Sequence, residues 1–193
     1  WRAKEGLRIP LGIVDLPLEQ RREILEFDFG GAGGHMAVVG GPLTGKSTAL
    51  RTVVQSLSLT RTPQEVQFYV MDFGGGAFAA LEDAPHIAGV ATRDREESVN
   101  RMVAEIEGII ADREKYFRAN RIDSIAAYRQ GRAQGRFDDG YGDVFLVVDG
   151  WGALRADFEG LDARVQQLLA RALTFGVHLI ASAQRWMDFR QQV

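Results

Sequence analysis

The segment from Gly40 to Ser47 reads GGPLTGKS and matches the pattern G-x-x-x-x-G-K-[ST] at every fixed position. Glycines let successive backbone N–H groups turn toward one phosphate, and the helix expected to begin beside them aims its positive end at the same anion. Lys46 supplies a mobile positive charge for the β- and γ-phosphates, and the Ser47 hydroxyl is a ligand that Mg²⁺ accepts. The residues predicted to hold the triphosphate of ATP are Gly40, Gly41, Pro42, Leu43, Thr44, Gly45, Lys46, Ser47 and Thr48.

An acidic residue at the end of an apolar run supplies the second half of such a site. Val144–Val148 is unbroken and apolar, as expected of a strand covered on both faces, and Asp149 follows it directly. We expect Asp149 to hold Mg²⁺ together with Ser47, in part through water. Capping of the turn before Gly150 is the alternative role for this carboxylate.

The residue after this aspartate decides what chemistry the site can perform. Hydrolysing P-loop proteins commonly carry Glu here, where it orients and deprotonates the attacking water, but this chain has Gly150. Loss of a positioned base costs ~10²- to 10⁴-fold in rate. We therefore predict a domain that binds ATP with Mg²⁺ and turns it over very slowly.

Two further polar residues follow predicted strands. Gln184 is predicted either to sense the γ-phosphate and position water, as a third catalytic residue beside Lys46 and Asp149, or to lie in a plain surface turn. Asp72 ends a run at the carboxyl end of a strand, where the ligands of open α/β sheets collect. It is predicted either to approach the metal or to cap a buried turn.

The elements that must position these residues alternate between strand and helix patterns. This alternation predicts an α/β domain with a mostly parallel sheet and helices on both faces. Strands are predicted at 24–29, 36–39, 66–71, 87–91, 144–148 and 177–182, and helices at 46–57, 94–118, 123–130 and 161–173. The glycine-rich segment 131–142 is predicted as a loop. Residues 1–193 are predicted as a single domain, with 1–23 as an N-terminal extension or linker.

Composition excludes several classes of protein. The chain has 193 residues, of which 46% are hydrophobic and 25% charged, so a disordered chain is excluded. It has no cysteine, which excludes disulfide scaffolds and thiol catalysis and favours a reducing compartment. The net charge of -3 argues against a surface that tracks nucleic acid along its whole length, so DNA is not an expected partner. No run reaches the ~20 apolar residues that span a bilayer.

Several segments carry a family resemblance when they are taken together. They read GHMAVV at 34–39, MDFGGG at 71–76, APHI at 84–87, YGDVFLVVDGW at 141–151, GVHL at 176–179 and QRW at 184–186. In this combination the chain resembles the FtsK/SpoIIIE translocase ATPases, and within them the EccC proteins of type VII (ESX) secretion systems. The resemblance spans nearly the whole chain, from Leu11 to Arg190.

The resemblance implies more than the motifs do by themselves. It implies a RecA-like P-loop NTPase fold in one of several ATPase domains of a longer chain, which assembles as a homo-hexamer on the cytoplasmic side of the bacterial inner membrane. The implied partners are those other domains, small secreted WXG100-type proteins and further membrane components of the secretion system. Asp149-Gly150-Trp151 resembles the later domains, most closely the second, in which the second motif is commonly degenerate and ATP is a structural or regulatory ligand.

The resemblance also bears on the end of the chain. Family domains continue past the strand at 177–182 with another strand and a helix. A C-terminal edge element of the sheet is therefore predicted to be missing, through truncation of the chain or a disordered tail, and the start at Trp1 favours a fragment of a longer protein.

Three other interpretations remain open at this point. An active DNA translocase would need Glu at position 150 and a basic channel loop. A P-loop phosphotransferase would need an arginine-bearing lid, for which the segment 131–142 offers Arg132 and Arg136. A purely structural domain would bind no nucleotide.

Overall fold

The computed structural model describes residues 6–31 and 33–189. The strands are β1 (Arg8–Leu16), β2 (Arg21–Asp28), β3 (Met36–Val39), β4 (Val66–Asp72), β5 (Ile87–Thr92), β6 (Asp143–Asp149) and β7 (Val177–Ala183). The α-helices are α1 (Lys46–Thr60), α2 (Glu96–Asn120), α3 (Ile125–Ala133), α4 (Trp151–Asp157) and α5 (Leu161–Ala172). Short 3₁₀ turns cover Pro17–Glu19, Ala79–Leu81, Leu173–Phe175 and Trp186–Phe189. In this described part of the chain, none of the helices is long and apolar enough to cross a membrane.

The central feature is a five-stranded parallel sheet in the order β3-β7-β6-β4-β5. Every residue of β6 and β7 is buried, which explains their apolar runs, since strands covered on both faces have no solvent-facing positions. The predicted α/β class and mostly parallel sheet are confirmed. Among the described residues β3 and β5 are the two outer strands of the sheet, and the missing C-terminal edge element stays a prediction.

Helices cover both faces of this sheet, as predicted. On one face, Ile106 of α2 and Val165 of α5 belong to a buried cluster with the side chains of β4, β6 and β7. On the other face, Leu50 and Val54 of α1 belong to a second cluster that includes Phe145. The apolar positions that predicted the long helix recur every three or four residues, which gives α2 one buried stripe.

The first strands form a hairpin outside the central sheet, and its first strand lies in the segment 1–23 that was predicted as an N-terminal extension or linker. β1 pairs antiparallel with β2, from Arg8 opposite Asp28 to Leu16 opposite Arg21, and the two form a sheet of their own. The linker interpretation is wrong for 8–16, because these residues are a strand. The sequence pattern missed β1 because the register shifts at a bulge between residues 10 and 12, which interrupts the alternation of the strand. Residues 1–5 lie outside the described residues.

The polar loop before β6 is fixed by a buried arginine of α2. The fully buried Arg113 guanidinium donates to Asp139 Oδ2 at 2.6 Å, to the Phe175 carbonyl at 2.7 Å and to the Tyr141 carbonyl at 2.9 Å. Arg132 of α3 donates to the same Tyr141 carbonyl. Because this loop precedes β6, it lies at the amino end of the parallel sheet, whereas the phosphate loop follows the carboxyl end of β3. The segment 131–142 is therefore not placed as a lid over the phosphate loop.

Candidate functional site

A cleft of about 1090 Å³ opens at the carboxyl ends of the sheet strands. Its walls are the phosphate loop, the loop after β4 and the residues that follow β6 and β7. The predicted site residues that line it are Pro42, Leu43, Thr44, Gly45, Lys46, Ser47, Thr48, Asp149 and Gln184. Gly40 and Gly41 precede them at the end of β3, where the Gly40 N–H donates to the Ala183 carbonyl at 3.2 Å.

The phosphate loop turns into α1 through Gly45, whose φ of +87° lies in the left-handed region that favours glycine. Within residues 6–31 and 33–189 no side chain caps the first turn of α1, so the backbone N–H groups of that turn are left as donors for an anion. Lys46 Nζ donates to the Gly41 carbonyl at 2.6 Å, and the Thr44 hydroxyl donates to the same carbonyl at 2.9 Å. The lysine charge is therefore held beside the free N–H groups, which is the arrangement that a polyphosphate needs.

Asp149 ends β6 in a buried position, with 2% of its surface exposed. The Ser182 hydroxyl donates to Asp149 Oδ1 at 2.6 Å and itself accepts from the Gly150 N–H at 2.9 Å. The other carboxylate oxygen, Oδ2, is buried and has no hydrogen-bond partner among the residues that the structure describes. A buried acceptor without a partner is costly, and a cation or its water would satisfy it. The unsatisfied oxygen fits the predicted metal-binding role of Asp149, and Ser47, the other predicted metal ligand, lines the same cleft.

Gly150 has a conformation that explains why the position holds glycine. Its φ of +106° and ψ of 61° lie outside the ordinary range of side-chain-bearing residues. A Cβ at this position would also lie 3.3 Å from the Phe73 Cβ, which is tighter than an ordinary contact. A glutamate cannot be placed here without a change in the backbone that starts α4.

Asp72 takes the capping role that was one of its two predicted alternatives. It is buried, and its carboxylate accepts from the Gly76 N–H at 3.2 Å and from the Phe78 N–H at 2.9 Å. Both carboxylate oxygens are thereby used to fold the glycine-rich loop after β4. Asp72 lies beside Asp149 in the register of β4 and β6 but faces this loop.

Gln184 follows β7 and is exposed at the mouth of the cleft. Its backbone N–H donates to Asp188 Oδ2 at 3.2 Å, as does that of Arg185 at 2.9 Å, so Asp188 fixes the turn that carries both side chains. The geometry leaves the Gln184 side chain facing solvent and the cleft, and its predicted role beside the γ-phosphate stays a prediction.

The cleft contains residues that sequence reasoning did not select. They include Phe73, Gly74, Arg93, Arg155 and Ser182. Arg93 donates to Asp157 at the end of α4 at 2.7 Å, and this hydrogen bond raises the pKa of the Arg93 guanidinium above its ordinary value. Ser182 was within reach of prediction, because a polar residue inside an otherwise apolar central strand indicates a buried partner. Gly74 belongs to the segment MDFGGG that carries the family resemblance, but nothing in the sequence indicated its contact with Asp149.

The histidines have structural partners in the described residues. His35 Nδ1 accepts from the Leu179 N–H at 2.9 Å. The His178 ring lies between the Gly34 carbonyl at 2.7 Å and Asp143 Oδ1 at 3.1 Å. Burial lowers the pKa of His35 below its ordinary value, and the nearby His178 ring lowers it further.

The fold and the cleft define a P-loop ATPase domain, and the comparison with known families gives the same class. The model of the FtsK/SpoIIIE family matches residues 1–193, and the chain belongs to that family. It is 47% identical over 194 residues to the ESX secretion system protein EccC of Thermomonospora curvata, and 47% identical over 188 residues to the ESX-4 secretion system protein EccC4 of Mycobacterium tuberculosis. These alignments cover 100% and 97% of this chain but 15% of each relative.

Solved structures confirm the RecA-like fold. The chain matches a structure of Thermomonospora curvata EccC (ATPases 2 and 3) in complex with a signal sequence peptide, with a TM-score of 0.93 and 48% identity over 99% of this chain and 34% of that one. It also matches EssC (ATPases 2 and 3) of Geobacillus thermodenitrificans, with a TM-score of 0.84 at 19% identity over 98% of this chain and 35% of that one. At that identity the second likeness supports the fold alone.

Proposed function

We propose that this chain is an ATP·Mg²⁺-binding domain of a type VII secretion motor ATPase, with weak or no hydrolysis in the domain itself. One observation carries the proposal. The cleft combines a complete phosphate loop with a buried, half-satisfied Asp149 carboxylate, while the next position is a glycine at φ +106°. Such a site has the groups that grip a triphosphate and lacks the base that would activate water.

Each residue has a distinct task in this proposal. The N–H groups at the start of α1 and the Lys46 ammonium bind the phosphates, and Ser47 and Asp149 hold the metal, directly or through water. Bound Mg²⁺ would neutralise charge on the β- and γ-phosphates. Gln184 is placed at the mouth of the cleft, where a side-chain amide can contact the γ-phosphate or a water molecule. Gly150 has no side chain and so can contact neither the γ-phosphate nor that water molecule through one.

The wider role follows from the relatives and is likewise a proposal. The chain spans 15% of the length of the EccC proteins that it matches, and the structural relatives contain ATPases 2 and 3 in one chain. We place this domain as the second ATPase of such a protein, on the cytoplasmic side of the bacterial inner membrane and within a homo-hexamer. Its partners would be neighbouring ATPase domains, the exported WXG100-type proteins and the membrane components of the secretion system.

Calorimetry with ATP and MgCl₂ tests the nucleotide-binding part. We expect binding by the native chain, and its loss in Lys46→Ala, because the ammonium is the one side-chain charge of the phosphate loop. Lys115→Ala is the matched control, since Lys115 lies on the exposed face of α2, where it pairs with Asp112. Failure of the native chain to bind at millimolar ATP would contradict the proposal and favour a structural domain.

Turnover by the same preparation tests the hydrolytic part. We expect steady-state release of phosphate far below ~1 s⁻¹, a typical lower value for working enzymes. A rate near ~1 s⁻¹ would contradict the proposal that this domain hydrolyses ATP weakly or not at all. Salt-dependent binding to plain duplex DNA would instead favour the translocase interpretation.

A further inference from the structure

The Asp149 carboxylate lies beneath a single layer of backbone. A Cβ added at Gly74 would lie 2.4 Å from Asp149 Oδ2 and 2.8 Å from its Cγ, so the Gly74 backbone rests directly on the carboxylate. Gly74 is exposed on its other side and lines the cleft. The covering layer is therefore one residue thick. It separates Asp149 Oδ2, the oxygen without a partner, from the cleft.

The covering segment is held at its two ends and is conformationally free between them. At one end the Phe73 N–H donates to the Asp149 carbonyl at 3.0 Å, and the Phe73 ring stacks on Phe158 with centroids 5.2 Å apart. At the other end Asp72 accepts from the Gly76 and Phe78 N–H groups. Between them lies a run of glycines, of which the second and third have φ of +115° and +86°. A glycine run of this kind moves at low steric cost.

The two oxygens of the Asp149 carboxylate differ in their hydrogen bonding. Ser182 holds Oδ1 at 2.6 Å and is itself oriented by the Gly150 N–H, so this side of the group is fixed by β7. Oδ2 is buried against Gly74 with no donor. A water ligand of a metal ion can reach Oδ2 only if the covering segment shifts, because Oδ2 is buried and the space next to it on the Gly74 side is too small for even one added carbon atom.

We propose that the segment Phe73–Gly76 is a cover that moves off the Asp149 carboxylate when Asp149 enters the magnesium site, with Ser182 and Gly74 as positioning residues. This inference rests on the proposed function. Ser182 fixes Oδ1 so that Oδ2 is the oxygen left for the metal. Gly74 lets the backbone lie against the carboxylate until then, and the need to displace it reduces the apparent affinity for metal-bound nucleotide.

The proposal predicts opposite effects for two substitutions. The measured quantity is the magnesium gain, the ratio of the ATP dissociation constant in EDTA to that in MgCl₂, obtained by calorimetry. Ser182→Ala frees the carboxylate and is expected to reduce the gain roughly tenfold, the value of one hydrogen bond to a charged group. Ser182→Thr keeps the hydroxyl and is expected to keep most of the gain.

Gly74→Ala is expected to preserve or increase the magnesium gain. Its Cβ cannot occupy the covered position, so the variant favours the displaced segment and removes the cost of uncovering. Gly108→Ala is the matched control, since Gly108 lies in α2 with open space at its Cβ and is expected to leave the gain unchanged. Loss of the gain in Gly74→Ala, or an unchanged gain in Ser182→Ala, would overturn the proposal.

Hydrogen exchange on the native chain provides a test that needs no variant. Amides of the cover, Phe73–Gly76, are expected to exchange faster with ATP and MgCl₂ than with ATP and EDTA, because the Phe73 N–H and the Gly76 N–H are hydrogen-bonded in the covered state. Equal or slower exchange would overturn the cover. If ATP binds under neither condition, the proposed function fails; if ATP binds with a magnesium gain while the segment is unaffected, this inference alone fails.

Discussion

Restoring the missing glutamate is expected not to restore hydrolysis. Gly150→Glu supplies the carboxylate expected at this position in a hydrolysing P-loop protein. The backbone at this position, however, has φ +106° and ψ 61°, and a Cβ would press on Phe73 at 3.3 Å. The new side chain would therefore force the start of α4 to shift and would not direct its carboxylate at a water molecule beside the γ-phosphate.

The cost of this substitution can be worked from the geometry. A residue with a side chain held outside its allowed backbone regions costs about 1 to 3 kcal/mol, and the close contact with Phe73 places Gly150→Glu toward the upper end of that range. For a chain of this size such a loss lowers the melting temperature by roughly 5 to 10 °C. A correctly positioned base would instead raise the rate by ~10²- to 10⁴-fold. We expect less than a tenfold increase.

The assay compares melting temperature and phosphate release in the native chain, Gly150→Glu and Gly150→Ala. The alanine variant introduces the same Cβ without a carboxylate, so both variants should lose similar stability and both should remain slow. A glutamate variant that keeps the native melting temperature and releases phosphate near ~1 s⁻¹ would refute the reasoning. That result would mean that the backbone adapts freely and that only the missing base limits hydrolysis.

Three further predictions concern stability and the metal. Arg113→Met leaves buried acceptors without their donor and should cost about 3 to 5 kcal/mol in urea unfolding, whereas Arg118→Ala on the exposed face of α2 should cost under ~1 kcal/mol. Because the pKa of His35 is lowered in the folded chain, the unfolded chain binds more protons in acid, and stability should fall as the pH drops below ~6.5. His35→Gln should remove that part of the fall. Urea unfolding midpoints at several pH values measure it. Asp72→Asn should cost about 1 kcal/mol and should preserve or increase the magnesium gain, because it loosens one end of the cover, and a lost gain would place Asp72 in the metal site.

The sequence predicted most of the central fold because its signals are local. The five-residue apolar run before Asp149 became the buried strand β6, and the three- and four-residue spacing of apolar positions became α2. Local signals failed where an element depends on a distant partner. β1 is a strand because β2 lies beside it, and the short helix α4 follows a glycine whose backbone angle no sequence pattern specifies.

The candidate site likewise has one part that the sequence predicted and another part that it did not. The phosphate loop is one continuous segment, so its residue types and spacing fix both its shape and its position at the start of a helix, and the sequence alone identified it. The glycine after Asp149 was also visible in the sequence, and the prediction of slow hydrolysis rests on it.

Only the tertiary structure decided how the second half of the site is built. Parallel pairing of β4, β6 and β7 brings together Asp72, Asp149 and Ser182, which are far apart in the chain. They lie side by side at the carboxyl ends of these strands. There the hydroxyl takes one oxygen of Asp149, the Gly74 backbone covers the other, and Asp72 turns to the glycine loop. The chain order contains the groups, but hydrogen bonding between strands sets their register, and register determines which groups touch.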